Sequence, residues 1–101
     1  MKLWANDIAP HGDFSQYYWC TSVNEAKRVI LQYENSNQPF ELIEINPEAS
    51  TYLFDGGDYI NFINWLEETN RNYPIRIYND NPVVVKQIRQ IIKRNNWKEI
   101  F

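Results

Sequence analysis

Three carboxylates in this 101-residue chain, Asp7, Glu48 and Asp80, stand where chemistry is expected. Each closes a short β-favouring run. Lys2-Leu3-Trp4-Ala5 leads to Asn6-Asp7, Phe40 to Ile45 leads to Asn46-Pro47-Glu48, and Ile75 to Tyr78 leads to Asn79-Asp80-Asn81. Brought together, such oxygens suit Mg²⁺, a hard cation that prefers oxygen ligands and keeps several waters. They also suit a division of acid and base roles when their pKa values diverge. Short polar side chains at strand ends equally solvate backbone and cap helices, so turn chemistry competes for the same positions.

Other groups offer less. His11 is the single histidine, in a loop with Pro10 and Gly12, and Cys20 is the single cysteine. Cys20 falls inside an expected strand, where a buried thiol acts as a small hydrophobe. A Cys–His nucleophile needs the two adjacent in space, and nothing in their spacing supplies that. Asp55-Gly56-Gly57-Asp58 precedes a helix, as an anion cradle does. It lacks the glycine pattern and lysine of the phosphate loops, and its two acids repel phosphate. Capping of that helix by Gly57 or Asp58 is the competing account. Lys86, Arg89, Lys93 and Arg94 form a basic stripe near a helix C-terminus, where cations favour the helix dipole. Four cations on a chain of net charge -3 are a thin footprint for nucleic acid.

The elements that must position these residues follow from pattern. Strands are expected at Lys2–Ala5, Tyr17–Thr21, Phe40–Ile45 and Ile75–Tyr78. Ser22 and Glu25 have capping-box spacing, and Ala26, Val29, Ile30 and Tyr33 recur on one helical face. A second helix is expected from about Asp58 to Thr69, with Tyr59, Phe62, Ile63 and Leu66 on one stripe. Asn81 and Pro82 open a third, with Val85, Ile88, Ile91 and Ile92 inward. Residues 97–101 suit a short last strand. Strands alternating with helices imply βαβ units: one α/β domain over residues 1–101, a small three-layer α/β/α sandwich with a mostly parallel sheet of 4-5 strands. Right-handed crossovers are expected to place helices on both faces. The strand C-termini then share one edge, where open α/β sheets bind ligands.

A composition of 44% hydrophobic and 23% charged residues fits one ordinary globular domain. A single cysteine excludes an intrachain disulfide and fits a reducing compartment. With neither a signal peptide nor an 18-residue apolar run, a cytoplasmic protein is expected. The four tryptophans read as core, with Trp19 and Trp97 the candidates for partial exposure. Asparagine is abundant, at 13 residues, and pattern alone gives that abundance no role.

Three stretches carry a resemblance to a known family. "MKLWANDIAP" is similar to an opening strand that usually reads L-W-[hydrophobic]-D-D-[VI]-R-P. "ELIEINPEAS" is similar to a third strand ending D-H-D. "GGDYINFINWLEETNRNYPIRIYNDNPVVVKQIRQIIKRNNWKEI" is similar to a last half in which G-D-Y-I and W-L-E-E precede P-I-R-I-H-S-x-N-P-V-G. The chain thus resembles the cyclic-phosphate-processing receiver domains, small relatives of response-regulator receivers. The resemblance implies a receiver-like (flavodoxin-like) fold and, for the family, processing of cyclic-phosphate ends or nucleotides. Its histidines would shuttle protons and its aspartates would hold a metal or act as base.

The departures fall on that site. Asn6 stands for the first Asp while Asp7 keeps the second, and Ala9 replaces Arg. Asn46, Pro47 and Glu48 replace D-H-D; Tyr78 and Asn79 replace His-Ser; Val84 replaces Gly. Asn46 also stands near the phospho-accepting Asp of a receiver. The resemblance therefore implies a degenerate, non-catalytic module with no cofactor. It would bind a protein partner or a nucleotide-like ligand through Asn6, Asp7, Asn46, Tyr78, Asn79, Asp80 and Asn81, as an interaction module, inhibitor or decoy. The alternative expectation is a phosphoesterase acting on cyclic phosphates, with Asp7, Glu48 and Asp80 around Mg²⁺.

Overall fold

The computed structural model describes residues 1–101 except His11 and Asp13. Four short strands, β1 (Lys2–Ala5), β2 (Tyr17–Cys20), β3 (Leu42–Ile45) and β4 (Ile75–Ile77), form an all-parallel sheet in the order β2-β1-β3-β4. That is the flavodoxin-like order. Helix α1 (Val23–Asn35) connects β2 to β3, α2 (Tyr59–Glu68) connects β3 to β4, and α3 (Pro82–Arg94) follows β4.

Strand alternation explains the core. Leu3, Ala5, Cys20, Ile43, Ile45 and Ile75 point to one face and join Val29, Ile30, Phe62, Ile63, Ile88 and Ile92 of the helices in a single cluster. Ile43 is fully buried there, so Ile43→Ala would cost about 2–5 kcal/mol in lost contact and cavity. Helix α1 packs on α2, and α2 on α3. Every helix therefore lies on the same side. The physical reason is direction: β2→β3, β3→β4 and β4→tail all advance the same way across the sheet, so right-handed crossovers put all three helices on one face. Among its described residues the reverse step, β1→β2, carries only a one-turn 3-10 helix, Phe14–Gln16. The sandwich is thus thick on one side and thin on the other, where helices were also expected. On the thin side Trp4, Tyr17 and Tyr78 form an edge-to-face aromatic group. Glu44, 4% exposed, accepts from Tyr17 and pairs with Arg76.

Helix starts follow local chemistry. Glu25 N–H donates to Ser22 Oγ at 3.1 Å, while the Glu25 carboxylate reaches back to Thr21 N–H at 2.9 Å, one residue before the cap. Val83 N–H donates to Asn81 Oδ1 with Pro82 in the first turn. Helix ends are uniform. Asn37, Asn70 and Asn96 each adopt a left-handed conformation, at φ 57°, 56° and 57°. Behind each, paired backbone bonds close the last turn: Gln38 N–H to Tyr33 O with Asn37 N–H to Glu34 O, and likewise Arg71 to Leu66 with Asn70 to Glu67, and Trp97 to Ile92 with Asn96 to Lys93. This is the Schellman arrangement with asparagine where glycine is usual. It gives part of the asparagine abundance a structural role.

Some boundaries move. Phe40 is buried and stacks on Tyr33, but the strand starts only at Leu42, with Glu41 N–H donating to Met1 O just before it. Val84, not Val85, packs on the core. The tail makes one parallel bridge, Ile75↔Glu99, rather than a strand. Ile75 N–H donates to Lys98 O and Ile100 N–H to Ile75 O; beyond them the Phe101 carbonyl accepts from Arg76. Trp97, expected to be partly exposed, is 7% exposed in the core, whereas Trp19 is 45% exposed. Among the described residues no helix is long and apolar enough to cross a membrane.

Candidate functional site at the C-terminal rim of the sheet

β1, β3 and β4 are neighbours, so the loops after them meet at one rim. What joins them is a chain of amides. Asn79 Nδ2 donates to Asn46 Oδ1 at 3.0 Å, and Asn46 Nδ2 donates to Asn6 Oδ1 at 3.3 Å. Each member of the chain is also tied to backbone: Glu48 N–H to Asn46 Oδ1, Ile8 N–H to Asn6 Oδ1, Asn81 N–H to Asn79 Oδ1. Trp19 Nε1 covers the Asn6 carbonyl at 2.8 Å. Asn6 is 2% exposed. A buried amide is stable only when paired, and this one accepts from Asn46 of the loop after β3 and from Ile8 of its own loop.

The three carboxylates share the rim but take separate partners. Asp7 Oδ2 accepts from Ser50 N–H, Thr51 N–H and Thr51 Oγ1 at 2.9, 3.0 and 2.8 Å. Burial pushes its pKa up, but the bonds from Thr51 and Ser50 outweigh it, and the group titrates below its ordinary 3.8. Glu48 Oε1 accepts from Asn81 Nδ2. Asp80 is exposed. Among the described residues no three His, Cys, Asp or Glu side chains are grouped to hold a metal ion. One observation runs the other way: Asp7 Oδ1 is buried without a hydrogen-bond partner. A lone carboxylate oxygen is a small part of an Mg²⁺ site, which also needs placed oxygens from its neighbours. Asp7, Glu48 and Asp80 as arranged do not fit one.

Tyr78 turns its ring onto Trp4 at 5.1 Å between centroids, and is 46% exposed. Asn81 serves α3 as N-cap as well as Glu48. Cys20 is fully buried, and burial pushes its thiol well above the ordinary range, which leaves it inert. His11 lies outside the described residues.

Pattern reasoning missed Ser50 and Thr51, and named Asp55 only within the glycine-rich entry to a helix. Asp55 accepts from Ser22 Oγ at 2.6 Å and from Asn24 Nδ2 at 3.1 Å, locking the 46–58 loop to the start of α1. The donors are more than thirty residues away, and no local signal marks them. Gly56 (φ +107°) makes that approach possible: a Cβ there would meet Asn24 Oδ1 and Val23 Cβ at 2.8 Å. Asp58 starts α2 without a side-chain capping bond.

Compared with protein-family models, with curated proteins and with solved structures, the chain matches none.

Proposed function

We propose that this chain is a non-catalytic, receiver-like interaction module acting on a protein partner, derived from a cyclic-phosphate-processing scaffold. The observation that supports the reading is the amide chain Asn79–Asn46–Asn6. Its groups satisfy one another, and none titrates near neutral pH to move a proton. Electrostatics support it too. The loops 6–16, 46–58 and 78–81 contain Asp7, Asp13, Glu48, Asp55, Asp58 and Asp80 and no Lys or Arg. A phosphate brought there without a cation meets repulsion on every side. The buried single thiol fits a cytoplasmic setting.

A second reading, a metal-dependent phosphoesterase, draws on Asp7 Oδ1, the buried oxygen without a partner. A thermal-shift assay with Mg²⁺, Mn²⁺ and a panel of 2′,3′- and 3′,5′-cyclic nucleotides, with product analysis, separates the two. The interaction module gives no metal-dependent rise in Tm and no product. A rise abolished by Asp7→Ala, together with turnover, establishes the enzyme instead.

A further inference from the structure

The rim carries a feature that its polar groups do not use. A depression of ≈ 290 Å³ lies between the 46–58 loop and the first turns of α2 and α3. Pro47, Ala49, Leu53, Ile60 and Val84 give it apolar lining, and Glu48 and Asp58 line it with acid groups. Beside it Phe54 is 85% exposed and Val83 74% exposed. Tyr52-Leu53-Phe54 is a run of three consecutive large apolar side chains, each at least 42% exposed. Such runs are avoided on solvated surfaces unless they are used. The run is held on both sides, before it by Asp7 at Ser50 and Thr51 and after it by Asp55 at Ser22. It is therefore presented in a fixed shape, which lowers the ordering cost of association.

We infer that this depression is the docking site of the module: it takes an apolar anchor side chain of a partner protein that carries Lys or Arg beside the anchor. The inference rests on the interaction-module reading and names the surface and the partner's chemistry. Charge decides among occupants. The acidic rim steers a basic protein surface toward it. It repels nucleic acid and phosphate ligands. It also repels the same patch on a second copy, so a symmetric dimer through this face is disfavoured. The competing surface, the α3 groove of Val85, Lys86, Arg89 and Lys93, carries the opposite charge and would select an acidic partner.

The test uses two fluorescein-labelled amphipathic peptides, one built of Lys and Leu and its counterpart of Glu and Leu. Binding is read by anisotropy at low and high NaCl and mapped on the ¹⁵N-labelled protein. The Lys/Leu peptide is expected to bind, to weaken with salt, and to shift amides at 48–60 and 83–87. Leu53→Ser is expected to weaken it by about tenfold and Asp58→Asn severalfold, with the far-ultraviolet spectrum and Tm unchanged. Absence of binding, equal binding of both peptides, or indifference to Leu53→Ser overturns the inference. Preferred binding of the Glu/Leu peptide, with shifts at Lys86 and Lys93, also overturns it and leaves the interaction-module reading standing. Turnover of a cyclic nucleotide removes that reading itself.

Discussion

The side-chain amide of Asn79 donates to Oδ1 of Asn46 across 3.0 Å, so the loops after β4 and β3 are joined through uncharged groups. Asn46 passes the connection on by donating to the buried Asn6. Asn46→Asp removes that donor and sets two oxygens against each other. The expected cost is about 1–3 kcal/mol, seen as a lower urea midpoint with an unchanged slope. An unchanged midpoint would mean that the amide chain is ornamental.

Asp7 holds the start of the 46–58 loop through three donors on one oxygen. Asp7→Ala frees Ser50 and Thr51 and should cost about 1–3 kcal/mol. Amide hydrogen exchange is the sharper measurement: protection at Ser50 and Thr51 falls, while that of Ile43 and Ile45 in the sheet drops only by the global amount.

The three asparagines in the left-handed conformation allow a graded test. Asn96→Ala places an ordinary Cβ at φ 57° without asparagine's tolerance, and should cost about 1 kcal/mol. Asn96→Gly removes the strain but adds freedom to the unfolded chain, so its effect should stay within about 0.5 kcal/mol. The same ordering is expected at Asn37 and Asn70, read as Tm differences in single variants.

Acid should unfold the protein over a defined window. Glu67, beside Arg94 and Asn95, is held down to about 2. Arg71 and then Tyr73 lower Glu34, Ser22 and then Asn24 lower Asp55, and Asp7 is lowered as described above. A carboxyl lowered by folding contributes fully above its unfolded value, here 3.8 or 4.5, and loses that contribution as pH falls through its folded value. Tm should therefore be flat from neutrality to about pH 5 and fall toward pH 2. Glu67→Gln should shallow the fall. Burial raises Tyr59 and Tyr73 above 10.0. Their contribution is complete below pH 10 and is lost as the pH climbs toward their folded values, so a second fall belongs at the alkaline end.

Much of the scaffold is written locally. Ser22 and Glu25, Asn81 and Pro82, and the stripe Tyr59-Phe62-Ile63-Leu66 act over three or four residues, and each does in the fold what its spacing implies. The gathering of Asn6, Asn46 and Asn79 followed from parallel topology. Their pairing did not, because which amide faces which depends on three loop conformations at once. The placing of all helices on one face was likewise missed. Amphipathic periodicity says that a helix is covered, but the side is set by strand order, which is a property of the whole chain. The asparagines at helix ends were legible in principle: Asn37, Asn70 and Asn96 each stand just after an apolar helical run, where glycine is usually sought.

The tail bridge has a consequence for how copies of this chain coexist. β4 is an outer strand, and Ile75 spends its outward N–H and C=O on Lys98 and Ile100 of its own chain. An uncovered row of such groups is a template on which a foreign strand can add, and then another. Residues 98–100 work as a built-in bumper on this edge, occupying at Ile75 the pair of groups that a neighbour's strand would otherwise take.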